Sequence, residues 1–247
     1  VIQPRIYFLK KGRTELQPQS ISKDRFEKLK HALLLNDTSK RKNASYQEIY
    51  MVDGTRIEIY NNTKEPTIIF RRYMVDTYTF ENLAALGSID EEMIPMLKAM
   101  VGCGFNVNMV GPVRSGKTTF YTTYQTYEDP TLEGVQVEND PEVPWHILMP
   151  GAPITQMVVE EEEFDELVKP LMRSDADYLL MGEARTGRAL RLMLMLTKKG
   201  TRREKATYHT GNPEDFCYDI AQEIVNIYGG DVWAYMLQAA EGFHYLF

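Results

Sequence analysis

Residues 111–119, GPVRSGKTT, constrain this chain more than any other stretch, because they match the phosphate-cradling pattern G-x-x-x-x-G-K-[ST]. That pattern needs a strand before it and a helix after it. Residues 105–110, FNVNMV, alternate apolar and polar side chains and read as the strand. Residues 117–126 contain neither glycine nor proline and read as the helix. Gly111 and Gly116 let the backbone turn its N–H groups toward phosphate oxygens, and Pro112, Val113, Arg114 and Ser115 make up the loop between them. At the helix start Lys117 offers a cation to the β and γ phosphates, Thr118 closes the motif and offers its hydroxyl to Mg²⁺, and Thr119 follows it among the expected nucleotide-binding residues. The expected ligands are ATP and magnesium.

With 247 residues the chain can hold one large domain or two modest ones around a real core. Its net charge of −7 argues against a surface built to neutralise phosphates, so nucleic acid is not the expected partner. Cys103 and Cys217 stand far apart with no C-x-x-C spacing, which suggests neither a disulfide framework nor a thiolate zinc site and fits a reducing cytoplasm. No apolar run approaches the ~20 residues that span a bilayer. The chain starts at Val1 and stops on the strand-like FHYLF of residues 243–247, so parts of the natural protein are expected beyond both ends.

Hydrophobic periodicity divides the chain into an α+β domain over residues 1–75 and a larger α/β domain over 76–247, joined by a linker at about 74–79. In the first, EIYMV and TRIEIY flank Asp53-Gly54, a strong hairpin signal, TIIFRRY adds a third strand, and a helix starting at Ser22 presents Phe26, Leu29 and Leu33. The second opens with a helix over 88–101, for which Ser88 and Glu91 form a capping box. Beyond the phosphate loop come a strand at 134–138, a helix presenting Phe164, Leu167 and Val168, a strand at 178–182 and a helix at 188–198. A strand at 206–209 follows, and then a helix entered through Asn212-Pro213. Such alternation predicts a mainly parallel sheet with helices on both faces.

Ligands of open parallel sheets bind beyond the carboxyl ends of the strands, so polar residues at those ends carry most weight. The phosphate loop ends one strand, Glu138 and Asn139-Asp140-Pro141-Glu142 another, Gly182-Glu183-Ala184-Arg185 a third and His209 a fourth. Glu183 is placed to hold Mg²⁺ through its water shell. Glu138 is placed to deprotonate an attacking water, with Asp140, Glu142 and Glu128 as competitors for that role. His209 is a candidate for sensing a phosphate, although by composition a lone histidine is more often a satisfied core residue. Arg71, Arg72, Arg185, Arg202 and Arg203 are candidate cations for transition-state charge.

Taken in order, FRRYMVDTYTFENLAALGSIDEEMIPMLKAMV, NVNMVGPVRSGKTTF, VQVENDPEV, DADYLLMGEARTGRAL and KATYHTGNPEDF resemble the secretion and type IV pilus ATPase superfamily, especially its CpaF-like, tight-adherence branch. The resemblance covers residues 66–247. It implies a RecA-like P-loop ATPase domain behind a smaller N-terminal domain. Such a chain assembles as a hexamer, peripheral at the cytoplasmic face of the inner membrane, where it works with a platform protein of a secretion or pilus machine. By the same resemblance Lys117 and Thr118 are nucleotide and Mg²⁺ ligands, Glu138 activates water, Glu183 and Arg185 belong to the Gly-Glu-x-Arg box, and His209 to the histidine box. Arg71 matches an N-domain arginine that reaches toward the phosphates. This chain departs from the family at Asn139, where aspartate is usual, in Pro112-Val113-Arg114, and in the basic run 198–205; the zinc module of some relatives is absent. Two other functions fit the same residues: a DNA or RNA translocase, and a nucleotide-binding scaffold that does not cycle.

Overall fold

Six parallel strands covered by helices on both faces build the larger of the two units into which the chain divides, Val1–Met74 and Val75–Phe247. The computed structural model describes residues 4–10, 13–35, 45–51, 55–61, 64–65, 67–72, 77–140 and 142–247. In the smaller unit β1 (Arg5–Lys10) and β2 (Arg13–Ser20) pair antiparallel, a hairpin that periodicity did not bring out. Helix α1 (Lys23–Leu35) starts as expected at Ser22, whose hydroxyl accepts from the Arg25 amide at 3.2 Å. Strands β3 (Tyr46–Tyr50), β4 (Thr55–Tyr60) and β5 (Thr67–Arg72) form an antiparallel sheet in sequence order. Its buried Ile49, Ile57 and Ile59 pack against Leu33 and Leu34 of α1, while Leu29, expected on the packed face, is exposed. The Asp53-Gly54 turn lies outside the described residues, as do residues 74–76 of the expected linker.

The larger unit opens with α2 (Phe80–Ala85) and α3 (Ile94–Cys103). The capping box expected from Ser88 and Glu91 does not form; the box closes instead between Thr79 and Asn82, at the start of α2. Pro95 is the reason. Proline has no N–H to donate and is tolerated only in the first helical turn, so α3 begins at Ile94, after a 3₁₀ turn over Glu91–Met93.

Then follow β6 (Val107–Gly111), α4 (Lys117–Thr126), β7 (Gly134–Glu138), α5 (Trp145–Leu148), β8 (Ile154–Val158) and α6 (Phe164–Leu171). The chain continues through β9 (Tyr178–Met181), α7 (Gly187–Lys198), β10 (Lys205–His209), α8 (Phe216–Tyr228), α9 (Val232–Gly242) and β11 (Tyr245–Leu246). The strand order is β11-β6-β10-β9-β7-β8, with every pairing parallel. The α/β fold read from the sequence is therefore the fold present. Helices α2, α5 and α9 and the edge strand β8 are additions to it.

Because successive strand residues face opposite sides, the two faces of the sheet cover two separate cores. Val110, Val135, Val137, Leu179, Met181, Ala206 and Tyr208 pack with α6, α7, α8 and α9. Met109, Tyr178 and Leu180 pack with α3, α4 and Trp145. The second side also carries the odd-numbered members of β10 and the even-numbered members of β7, so Gln136, Glu138, Lys205, Thr207 and His209 share it with α4. The apolar–polar alternation of β6 suggests one wet face, yet Asn108 is as buried as Val107, because β6 is flanked on both edges and covered on both faces. Near the amino end of β10, Glu128 accepts from Arg203 at 2.5 Å and from buried Lys205 at 2.8 Å.

Candidate functional site

The loop between β6 and α4 has the backbone that its glycines permit. Gly111 has φ 148°, Gly116 has φ 90° and caps α4 without any side-chain hydrogen bond. A side chain at Gly111 would meet the Ser115 hydroxyl at 3.0 Å. Arg114 is held at φ 64°, a conformation that costs a residue with a side chain about 1 kcal/mol or more. The first turn of any α-helix leaves its N–H groups without intrahelical acceptors, and in α4 these are on residues 117–119. Those amides, with the positive end of the helix dipole, make the loop chemically suited to an anion.

Lys117 is buried, and its ammonium donates to the Pro112 carbonyl at 2.7 Å and stands 3.1 Å from His209 Nδ1. An ammonium can only donate, so Nδ1 accepts and the ring proton sits on Nε2. That nitrogen lies 2.7 Å from Glu183 Oε1. Register explains the meeting: β10 lies beside β6 with His209 opposite Gly111. Burial lowers the pKa of Lys117, with Glu183 opposing, and burial likewise lowers that of His209. His209 is not the core histidine that composition allowed; its side chain is 39% exposed at the strand end.

The other oxygen of Glu183 accepts from Arg185, whose guanidinium also lies 3.6 Å from Asp140. Burial matters most at Glu138. It is only 3% exposed, Gln136 Nε2 donates to its Oε2 at 2.5 Å, and its Oε1 has no hydrogen-bond partner among the described residues. Burial pushes its carboxyl up to about 8, against the opposing pull of the Gln136 amide and the Glu142 backbone. Gly182 permits this placement, since a Cβ there would stand 3.1 Å from Glu138 Oε2.

Lys117, His209, Glu183, Arg185, Glu138 and Asp140 are thus gathered at the carboxyl ends of β6, β10, β9 and β7. Two sequence candidates fall elsewhere. Glu128 and Arg203 are tied to each other near Lys205, at the opposite end of β10 from His209, about 13 Å along the strand. Glu128 is thereby removed as a competitor of Glu138. Arg71 belongs to the smaller unit, where it lies 3.4 Å from buried Glu58. Asn139 donates its side-chain amide to the Val159 carbonyl at 3.0 Å, a bond that the usual aspartate cannot make when ionised.

Gln136 and Trp145 are the functional neighbours that motif reading missed. The signal for Gln136 is its place two residues before Glu138, on the same face of the strand. Trp145 carries none. As to metals, the described residues contain no group of three His, Cys, Asp or Glu side chains able to hold one alone. The donors present, the Thr118 hydroxyl and the Glu183 carboxylate, fit a magnesium ion that keeps water and takes its remaining ligands from phosphates. Among the described residues no helix is long and apolar enough to cross a membrane.

Residues 55–222 match the family of type II/IV secretion system proteins. MJ1287, an uncharacterized protein of Methanocaldococcus jannaschii, is 27% identical over 150 residues, which cover 59% of this chain and 55% of that protein. The fold is similar to that of the VirB11 ATPase of the Brucella suis type IV secretion system, at TM-score 0.52 and 16% identity over 96% of this chain and 79% of that one. It is similar also to the ADP-bound pilus retraction motor PilT, at 0.66 and 16% over 89% and 64%. The Legionella pneumophila ATPase DotB gives 0.62 and 13% over 94% and 66%. The chain spans about half the length of its curated relative and roughly two thirds of PilT and DotB.

Proposed function

The chain belongs to the type II/IV secretion system protein family, and from that premise we propose that it is a magnesium-dependent ATPase, one subunit of a hexameric ring that drives a secretion or pilus-assembly machine. Its boxes fit the tight-adherence branch. The ring works at the cytoplasmic face of the cell membrane, against a platform protein embedded there. The observation that carries this reading is the convergence of Lys117, His209, Glu183 and Glu138 at the carboxyl ends of β6, β10, β9 and β7.

Thr118 would hold the magnesium ion directly and Glu183 through water, and the ion supplies charge neutralisation on the phosphates. Lys117 exchanges the Pro112 carbonyl and His209 for phosphate oxygens, while the amides at the start of α4 bind the same tail. Glu138, as carboxylate, takes a proton from a water molecule. The water oxygen bonds to the γ phosphorus, and the bond from that phosphorus to the bridging oxygen breaks, its electrons leaving with ADP. His209, freed from Lys117, is positioned to contact the γ-phosphate, and Arg185 offers charge beside Glu183 and Asp140. Arg71 enters this reading from the resemblance alone.

The test is direct. The wild-type chain should bind ATP with magnesium and release phosphate, and Lys117→Ala should weaken binding by about 10- to 100-fold, the value of a charge-assisted contact. Equal affinity in the variant refutes the site. A second reading, the non-cycling scaffold, is favoured by one observation: a carboxyl pushed up to about 8 is mostly protonated at neutral pH. Tight binding with no phosphate release between about pH 6 and pH 9 would establish it.

A further inference from the structure

Two buried side chains outside every motif control how Glu138 is presented. Gln136 and Glu138 sit two residues apart on β7 and face the same side, away from Val135 and Val137. Gln136 is fully buried between two partners: its carbonyl accepts from the indole N–H of Trp145, and its amide donates to Glu138 Oε2 at 2.5 Å. An amide can usually be turned end for end, but an indole nitrogen only donates. The Gln136 oxygen must therefore face Trp145, which compels its NH₂ to face the carboxylate.

Trp145 is itself fixed. It is 1% exposed, belongs to the core of the α4 side, and meets the Tyr121 ring edge-on at 5.8 Å between centroids. Tyr121 lies four residues beyond Lys117, one turn along α4. A continuous path of packed and bonded groups thus runs from the helix of the phosphate loop to the acid.

We propose that Trp145 and Gln136 are a positioning pair for Glu138, engaging Oε2 so that Oε1, buried and without a hydrogen-bond partner among the described residues, is the oxygen left to accept from the attacking water. This rests on the reading of Glu138 as the group that activates water. Neither residue touches the reacting atoms. Burial opposes the ionised carboxylate, as do the charges of Glu142 and Asp140, whereas the hydrogen bond from Gln136 favours it and the Glu142 backbone adds to that. The other titratable or charged groups at this rim are Lys117 of α4, His209 of β10, and Glu183 and Arg185 after β9; His209 lies between Lys117 and Glu183, and Arg185 already pairs with Glu183 and stands 3.6 Å from Asp140.

The experiment uses the full chain with Gln136→Met, which keeps volume and loses the donor, and with Trp145→Phe, which keeps the ring and loses the N–H. Phosphate release at saturating ATP and magnesium is followed against pH. In nucleotide-free protein the carboxyl carbon of Glu138 is titrated by NMR, assigned by its loss in Glu138→Gln. The acidic limb and the carboxyl titration should both move upward by about one pH unit in Gln136→Met, since losing a charge-assisted donor disfavours the anion by roughly tenfold or more. Trp145→Phe should move them the same way by less, and should add nothing in the double variant. Unmoved titration in Gln136→Met, or a full additive shift in the double variant, overturns the pair. If Gln136→Met does not fold, Trp145→Phe alone decides by the same criterion. A carboxyl titration that moves while the turnover profile stays put upholds the pair and removes Glu138 as the base.

Discussion

Replacing Glu138 by glutamine should stabilise this protein while ending its turnover. The acid is 3% exposed, one oxygen has no hydrogen-bond partner among the described residues, and burial raises its pKa from 4.5 to about 8. A carboxyl whose folded value exceeds its unfolded value favours folding while protonated. Its contribution is fully present below 4.5 and is lost as pH rises through about 8. That interval, at about 1.4 kcal/mol per pH unit, corresponds to roughly 5 kcal/mol, an order-of-magnitude figure that counts only above about pH 8. Near pH 5 the loss is under about 1 kcal/mol. Glutamine keeps the shape and an acceptor for the Gln136 amide but never ionises. The stability gap between variant and wild type should therefore widen by roughly 4 kcal/mol from about pH 5 to about pH 9. Urea unfolding followed by tryptophan fluorescence measures this cleanly, because Trp145 and Trp233 both lie in the larger unit. A gap independent of pH would refute the argument. So would a variant that releases phosphate at the wild-type rate.

Two further predictions concern stability. Glu128→Gln removes the charge that accepts from Arg203 and Lys205, and leaves the buried Lys205 ammonium, already lowered to about 8 by burial, without its counter-charge. We expect a loss of about 3–5 kcal/mol in urea unfolding, and a loss under about 1 kcal/mol would show that the triad contributes little. Gly187→Ala places a Cβ 2.2 Å from the Glu223 carbonyl oxygen, so α7 and α8 must separate; a cost of about 1–3 kcal/mol is expected, and an unchanged midpoint would mean the helices part freely.

Much of the larger unit was legible because its signals are local. The glycines of the loop, the lysine and threonine after them, and the two periodicities of strand and helix lie within short windows, and each corresponds to an element now seen. Local reading failed where one residue outweighed a pattern or where an element carried weak contrast. Pro95 cancelled the Ser88 box. The edge strand β8 alternates only partly buried and exposed side chains, and α9 turns Trp233 and Leu237 outward, so neither stands out as a strongly patterned segment. In β6 the polar partners of the alternation are buried, because helices cover both faces of the strand.

What the sequence by itself determined was the set of chemical groups: a loop shaped for phosphate, and acids, a histidine and an arginine at the ends of apolar strands. Which of them meet was decided by strand order. β6 ends at Gly111 and β10 begins only at Lys205, yet they lie side by side and bring His209 to Lys117; β7 and β9 are paired and bring Gly182 to Glu138. The raised carboxyl of Glu138, the tautomer of His209 and the diversion of Glu128 to Lys205 all follow from those neighbours. Burial and hydrogen-bond direction are properties of the packed assembly of strands and helices, and no local window of residues contains them.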